Sequence, residues 1–136
     1  KPKVALSAPI DYIHPKMPAT TEAAQLAAMS KNGEIENCEI YGPITFEAAT
    51  NREIAMKRGI KNYVAGDADI FLVDSIEECN IISKVLILFS PAAFAGVIVG
   101  AKVPVSLVSR TDTAFNKLAS ISLACLLSHH LKRVKK

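Results

Sequence analysis

Tryptophan is absent from this chain, and phenylalanine and tyrosine together make up only 6% of its 136 residues. The net charge is only +3, and the cationic residues are scattered apart from a basic tail. A nucleic-acid-binding domain usually carries a basic stripe with interleaved aromatic side chains, so we expect no nucleic-acid partner. The tail is typical of the solvated end of a last helix, although such a run can also contact nucleic acid or an acidic membrane surface; it comprises Lys132, Arg133, Lys135 and Lys136.

Paired cysteines and long apolar runs are also missing. Cys38, Cys79 and Cys125 lie far apart and form no CxxC motif, which indicates reduced, packed thiols. Lys102 and Pro104 break the longest apolar run, so no segment reaches the roughly 18 to 20 residues that span a bilayer. We therefore expect a cytoplasmic protein that does not bind membranes.

The chain lacks an initiator methionine and several nucleotide-binding motifs. It begins at Lys1 and reads almost directly into a strand-like run, so we expect it to be part of a longer protein. None of the patterns GxGxxG, GxxxxGK[ST] and GxSxG occurs, and nucleotide binding by the first two is not supported.

Short β-branched runs alternate with helical patterns along the whole chain, and half of the residues are hydrophobic. The expected strands are Lys3–Ser7, Ile35–Tyr41, Ile70–Val73, Ala95–Val99 and Val103–Val108, the last two buried on both faces. The expected helices are Pro18–Asn32, Phe46–Arg58, Ile76–Phe89 and Thr113–His130. This alternation predicts a single α/β unit, residues 1–136, around a largely parallel sheet.

The last expected strand leads into a polar cluster, Ser109 to Asp112, just before the final helix. Groups at the carboxyl edge of an open α/β sheet are placed where such sheets bind ligands. Arg110 offers forked donors that match phosphate or carboxylate oxygens, and the first-turn N–H groups of the helix favour the same anions. The cluster predicts a phosphate site; the alternative is that Ser109 and Asp112 cap the helix while Arg110 forms a surface salt bridge.

Gly66, Asp67 and Asp69 precede the third expected strand. Two carboxylates at this spacing could hold a divalent cation. No further carboxylate or histidine lies near in sequence, which favours a polar turn, and we expect no metal site. Gly100, between two strand runs, could allow a ligand to approach closely or could simply form a turn.

Four segments together resemble the phosphate acyltransferase family, its butyryl branch more than its acetyl branch. They are HPKMPATTEAAQL (His14–Leu26), YGPITFEAA (Tyr41–Ala49), GDADIFLV (Gly66–Val73) and VGAKVPVSLVSRTDTAFNKLASISLA (Val99–Ala124). The similarity covers most of the chain but corresponds to the carboxyl-terminal half or so of a family member. It implies a three-layer α/β/α sandwich with a largely parallel sheet, like that of the isocitrate and isopropylmalate dehydrogenases.

The resemblance implies reversible transfer of a short-chain acyl group, butyryl or branched, between coenzyme A and inorganic phosphate. It implies no cofactor beyond coenzyme A as substrate, and commonly a homodimer. By resemblance, Ser109 hydrogen-bonds the acyl carbonyl oxygen or the departing phosphate, and Arg110 holds the phosphate. Further substrate contacts are expected at Gly66, Asp67, Asn80 and Gly100, and coenzyme A phosphate contacts at Lys57, Arg58 and Lys61, a group that equally fits a solvated helix end.

The chain departs from the family where a general base is needed. The acetyl branch has an aspartate seven residues beyond the serine, and that position is Asn116 here. Asp112 is the remaining local carboxylate and serves either as base or as cap. Tyr41 replaces the usual aspartate before Gly-Pro, and DSIEECN (Asp74–Asn80) replaces a pattern closer to PDIEAGN.

Two other functions remain open. A non-catalytic module that binds acyl-CoA or acyl phosphate would keep the residues that bind phosphate and lack the general base. A dehydrogenase of the similar fold would need magnesium and a nicotinamide, and Asp67 and Asp69 alone are not sufficient evidence for such a site. Since the resemblance leaves out the amino-terminal half of the cleft, activity of this portion alone is not expected.

Overall fold

A computed structural model describes residues 1–134, which fall into two compact units, one of residues 1–81 and one that starts at Ile82. The first unit contains β1 (Lys3–Ser7), α1 (Pro18–Lys31), β2 (Glu39–Ile44), α2 (Phe46–Thr50), α3 (Arg52–Lys57) and β3 (Ile70–Leu72). The second contains β4 (Val97–Ile98), β5 (Val105–Ser106) and α5 (Ala114–Val134), and α4 (Ile76–Phe89) crosses the boundary. That residues 1–136 behave as one domain of a longer two-lobed protein stays a prediction.

Strand β1 is the centre of the first unit. The sheet has the order β2-β1-β3 with every pair parallel, and Val4 lies opposite Ile40 on one side and Ile70 on the other. Successive side chains of a strand point to opposite faces, so Val4 and Leu6 pack towards α1 while Ala5 packs towards α2 and α3. Both faces of the sheet are therefore covered by helices, and the predicted α/β fold with its parallel sheet is confirmed.

Strand β2 lies closer to the carboxyl terminus than the expected strand at 35–41, and it includes the cis Gly42–Pro43 peptide. Residues 34–38 form turns instead, with Asn37 at a positive φ of 65°. A Cβ at Gly42 would lie 2.6 Å from the Leu6 Cβ and 2.9 Å from the Leu6 carbonyl oxygen. Glycine at this position therefore allows β2 to run close against β1.

The single helix expected at 46–58 is two helices, because Asn51 interrupts it. Asn51 has an extended backbone, and its side-chain oxygen accepts hydrogen bonds from the N–H groups of Glu53 at 3.0 Å and Ile54 at 3.2 Å. It thereby starts α3 as its N-cap. The backbone at Gly66 passes against this junction, where a Cβ would lie 2.5 Å from the Arg52 nitrogen and 2.9 Å from the Asn51 carbonyl carbon.

The prediction that residues 95–99 and 103–108 form parallel strands buried on both faces is wrong. The observed strands have two residues each, and they pair antiparallel with each other, Val97 opposite Ser106 and Ile98 opposite Val105. Helix α5 packs on both strands, yet Val99, Val103 and Leu107 remain more than half exposed. A β-branched run is buried on both faces only when layers lie on both sides of it.

Helix α4 matches the expected bounds and has no buried residue. Among residues 82–133 the only buried side chains are polar, those of Asn116 and Ser120. No helix in residues 1–134 combines the length and the hydrophobicity needed to cross a membrane. Lys132 and Arg133 lie in the last turn of α5, and the rest of the expected basic tail, Lys135 and Lys136, lies outside the described residues.

Replacing Asn51 with alanine tests the helix junction. Asn51→Ala removes the acceptor for two N–H groups, so we expect the free energy of unfolding to fall by about 1 kcal/mol in urea denaturation. Asn51→Ser is the matched control, since serine is as good an N-cap as asparagine, and it should stay close to wild type. Equal losses in the two variants would show that the capping bond is not what holds the junction.

Candidate functional site

Ser109 to Asp112 form a compact turn that leads into α5. The Asp112 carboxylate accepts a hydrogen bond from the Ser109 N–H at 2.6 Å through Oδ2, and the Asp112 N–H donates to the Ser109 carbonyl oxygen at 3.1 Å. The hydroxyl oxygens of Ser109 and Thr111 lie 3.1 Å apart. The structure thus brings the three predicted catalytic residues, Ser109, Arg110 and Asp112, into one turn closed by its own hydrogen bonds.

Arg110 is exposed at this turn, and within residues 1–134 its guanidinium forms no salt bridge and no hydrogen bond. The helix cap is Thr113, whose hydroxyl oxygen accepts from the Asn116 N–H at 3.2 Å. Neither part of the capping-and-salt-bridge alternative is therefore seen: Arg110 has no carboxylate partner among the described residues, and Asp112 closes the turn instead of capping the helix.

Asn116 and Ser120 fix the start of α5 to the segment before β4. The side-chain oxygen of Asn116, which is 8% exposed, accepts from the Phe94 N–H at 3.3 Å. The Ser120 hydroxyl oxygen accepts from the Gly96 N–H at 3.0 Å and donates to the Asn116 carbonyl oxygen at 2.8 Å. Asn116 is thus a structural acceptor here, and its uncharged amide cannot serve as a base.

The hydrogen bonds of Asn116 and Ser120 with the segment before β4 form the anchor of α5. The sequence analysis did not identify Ser120 and Gly96 as parts of this anchor. A Cβ at Gly96 would overlap the Leu107 carbonyl oxygen, and the Leu107 N–H in turn donates to the Gly96 carbonyl oxygen at 3.2 Å. The available signal was the spacing of Asn116 and Ser120, two polar residues four apart and hence on one face of the helix.

Asp67 and Asp69 both bind Lys3 at the start of β1. The Lys3 ammonium lies 2.6 Å from Asp67 Oδ2, and the Lys3 N–H donates to Asp69 Oδ2 at 2.7 Å. The hydrogen bond to Asp67 raises the pKa of Lys3, and the same bond lowers the pKa of Asp67. The pair forms the polar turn that the sequence favours, and substrate contacts at Gly66 and Asp67 stay a prediction.

Arg58, in contrast to Arg110, is bound to carboxylates. Its guanidinium lies 2.8 Å from Asp11 Oδ2 and 3.6 Å from Glu47 Oε1, and it donates to the Thr45 hydroxyl at 2.5 Å. The hydrogen bond to Asp11 raises the pKa of Arg58. Burial, followed by the Asp11 charge, raises the pKa of Tyr41, which therefore keeps its proton at neutral pH.

The remaining predicted site residues lie on different elements of the two units. Lys57 and Lys61 are exposed and, within residues 1–134, form no ion pair, and Asn80 is exposed on α4. Gly100 has a φ of 90° and belongs to the turn between β4 and β5, where a Cβ would have no atom within 4 Å. In the part of the chain that the structure describes, no group of three His, Cys, Asp or Glu side chains could hold a metal ion, and a reaction without metal stays a prediction.

The family profile described as Phosphate acetyl/butaryl transferase matches residues 1–125. A protein from Bacillus subtilis (strain 168), a probable phosphate butyryltransferase, is 47% identical over 93% of this chain and 42% of its own length. A phosphate acetyltransferase of Thermotoga maritima is 42% identical over 93% of this chain and 43% of its own length. The chain therefore spans about two fifths of the length of these curated relatives.

A solved structure has the same fold. The crystal structure of a branched-chain phosphotransacylase from Enterococcus faecalis V583 superposes with a TM-score of 0.84 at 34% sequence identity. The match covers 94% of this chain and 46% of that chain. The likeness is consistent with a three-layer α/β/α arrangement.

The ion pair of Asp67 makes stability depend on pH. Because the folded pKa of Asp67 lies below its usual 3.8, the pair stabilises the fold above that pH, and the contribution is lost as the pH falls through the folded pKa. We expect Asp67→Asn to lower the Tm at neutral pH and to approach wild type in acid, measured by thermal unfolding across the range. Asp74→Asn removes an exposed carboxylate that has no partner in residues 1–134 and serves as control. A loss that persists unchanged in acid would contradict the assignment.

A second prediction concerns the hydrogen bond by which Ser120 anchors α5. Ser120→Ala leaves the Gly96 N–H without its acceptor, so we expect the protein to lose about 1–3 kcal/mol of stability in urea denaturation. Ser122→Ala, an exposed serine on the same helix, should change little. Equal effects of the two substitutions would mean that the buried hydrogen bond contributes nothing.

Proposed function

This chain belongs to the phosphate acetyl/butyryl transferase family, and on that premise we propose that the protein transfers a short-chain acyl group reversibly between coenzyme A and inorganic phosphate. The observation that carries the proposal is Arg110, an exposed guanidinium without a partner in residues 1–134, in a turn that its neighbours close. A guanidinium that is not neutralised by a carboxylate keeps its donors available for phosphate.

In the proposed reaction the thiol sulfur of coenzyme A bonds to the carbonyl carbon of an acyl phosphate. The bond between that carbon and the phosphate oxygen breaks, inorganic phosphate leaves, and a base takes the thiol proton. Arg110 holds the phosphate, and Ser109 hydrogen-bonds the carbonyl oxygen or the departing phosphate, where negative charge increases during the reaction.

Asp112 is the proposed base within the cluster. Its Oδ2 atom accepts from the Ser109 N–H, and its Oδ1 atom has no hydrogen bond in residues 1–134. One carboxylate oxygen is therefore held in place while the other is available to a proton. Asn116 is not the base, since an amide does not accept a proton at neutral pH. It contributes by fixing α5 through its hydrogen bond with the Phe94 N–H.

We further propose that Lys57 and Lys61 contact the phosphate groups of coenzyme A. Both are exposed and have no carboxylate partner in residues 1–134, whereas Arg58 between them is already bound to Asp11 and Glu47. Gly66, Asp67, Asn80 and Gly100 complete the proposed substrate contacts.

The proposed partners are acyl-CoA and phosphate, with no cofactor, no nucleic acid and no membrane. We place the protein in the cytoplasm, which its three free cysteines support. A homodimer is proposed because α4 exposes a set of large apolar side chains that a second subunit could cover: Ile76, Ile81, Val85, Leu86, Leu88 and Phe89.

Release of free thiol from butyryl-CoA, with and without phosphate and without added metal, tests the proposal in the full-length natural protein. We expect phosphate-dependent release in the wild type and a decrease of roughly 100-fold or more in Arg110→Ala, because a contact that stabilises developing charge is removed. Arg133→Ala removes an exposed arginine at the other end of α5 and should leave the rate unchanged.

Two results would contradict the transferase. Equal rates in the Arg110 and Arg133 variants would show that Arg110 has no role in the reaction. A folded wild-type protein that binds butyryl-CoA and releases no thiol would instead be the non-catalytic binding module.

A further inference from the structure

The second unit carries a pronounced excess of positive charge. Residues 82–136 contain eight of the 16 lysines and arginines of the chain but only one of its 13 acidic residues, Asp112. Between residues 82 and 134 none of these cations forms a salt bridge with a described residue. Because unpaired cations raise the local concentration of anions, this unit attracts anionic ligands.

A small cavity of the second unit is lined by two of these cations. It has a volume of about 80 Å³ and is formed by the turn between β4 and β5 together with the last turns of α5. Each of the two elements contributes three residues: Lys102, Val103 and Pro104 from the turn, and Ser128, Leu131 and Lys132 from the helix. The helix residues are three and four apart, so they lie on one face of α5. The cavity is therefore contained within the second unit.

The polar side chains that line this cavity all offer hydrogen-bond donors. Lys102 and Lys132 are exposed, and neither has a carboxylate partner among the described residues. The half-buried hydroxyl of Ser128 forms no hydrogen bond within residues 1–134. An ammonium group has donors and no acceptor, so a partner for this set must supply acceptor oxygens.

The charge of this cavity is not balanced by the second unit itself. Two ammonium groups that line one cavity repel each other unless an anion neutralises them. Asp112 is too far away to do so, because it precedes α5 whereas Lys132 lies in the last turn of that helix. The 21 residues of α5 place about 30 Å between its two ends. An anionic ligand would therefore be stabilised by both lysines.

We propose that this cavity binds a phosphoryl group through Lys102, Lys132 and the hydroxyl of Ser128. A phosphoryl group brings up to about two negative charges and three acceptor oxygens, which match two ammonium groups and one hydroxyl. Lysine binds phosphate as a point charge, so the exposed ammonium groups need no fixed fork geometry. The proposal does not depend on the proposed acyl transfer, since the cavity lies at the carboxyl end of α5 and Arg110 precedes its amino end.

The size of the cavity limits what it can enclose. A volume of 80 Å³ is larger than the roughly 30 Å³ that one water molecule takes up in the liquid, so a phosphoryl group can enter. It is far below the roughly 300–1,000 Å³ of sites that enclose drug-sized ligands, so the rest of a larger molecule must lie outside. The phosphoryl group can therefore come from inorganic phosphate or from the nucleotide end of coenzyme A.

Protection of lysines from acetylation tests this assignment in the full-length natural protein. The protein is treated with an amine-acetylating reagent with and without saturating inorganic phosphate, and mass spectrometry gives the rate at each lysine. We expect phosphate to slow acetylation of Lys102 and Lys132 by about tenfold, because an ammonium that is held by phosphate is not free to react. Lys84, an exposed lysine of the same unit outside the cavity, should react at an unchanged rate. Potassium chloride at equal ionic strength controls for screening.

A second probe, adenosine 3′,5′-bisphosphate, identifies the source of the phosphoryl group. Protection at a lower concentration of this probe than of inorganic phosphate assigns the cavity to a nucleotide. Protection at a lower concentration of inorganic phosphate assigns it to the free anion. Either order supports a phosphoryl site.

Substitution of one lysine, read out at the other, tests whether the two act on the same group. In Lys102→Gln the phosphate concentration that half-protects Lys132 should rise by about tenfold, the effect of losing one hydrogen bond between charged groups. Lys84→Gln should leave that concentration unchanged. Lys102 has no carboxylate partner in residues 1–134, so its loss should not lower the Tm without phosphate.

Two results would overturn the assignment. Neither phosphate probe might slow the acetylation of Lys102 and Lys132, or the probes might slow that of Lys84 equally. The two lysines would then serve only the carboxyl end of the α5 dipole, which favours cations. Because no measurement uses thiol release, failure of the transferase reaction would leave each of these results unaffected.

Discussion

The burial of β1 on every side is the constraint on which the first unit depends. Its backbone pairs with β2 and β3, Val4 and Leu6 pack under α1, and Ala5 packs under α2 and α3. A strand in this position tolerates no polar side chain along its length, so its first polar groups come at its ends. Lys3, at one end, binds both carboxylates of the turn before β3.

The second unit is held by a different kind of interaction. Its buried side chains, within residues 82–133, are Asn116 and Ser120, and each accepts a backbone N–H from the segment that leads into β4. Buried acceptors of this kind specify one arrangement, because displacing them leaves the N–H groups unpaired. The proposed catalytic turn lies directly before this anchored helix, which explains how a short loop can have a defined shape without an apolar core beneath it.

Arg58 and Arg110 show how nearby carboxylates decide whether a guanidinium is free to bind an anion. The guanidinium of Arg58 lies beside two carboxylates, those of Asp11 and Glu47, and also donates to Thr45, while Arg110 has no partner in residues 1–134. The residues around Arg110 predict an anion contact there, whereas the contact at Arg58 is implied only by the family resemblance. Their difference arises because Asp11, far away in the chain, comes to lie beside Arg58 when β1 and β2 pair.

Local periodicity and specific motifs were enough to predict the α/β class, the parallel strands at 3–7 and 70–72, the bounds of α1 and α4, and the family resemblance carried by Val99–Ala124. They could not predict the break at Asn51, the antiparallel pairing of Val97–Ile98 with Val105–Ser106, or the carboxylates bound by Lys3. The strand pairing and the contacts of Lys3 depend on groups that are distant in the chain or on which layers cover a strand, and the spacing of neighbouring residues encodes neither. The break at Asn51 is a local cap, which the spacing of apolar residues does not reveal because the helical pattern continues through it.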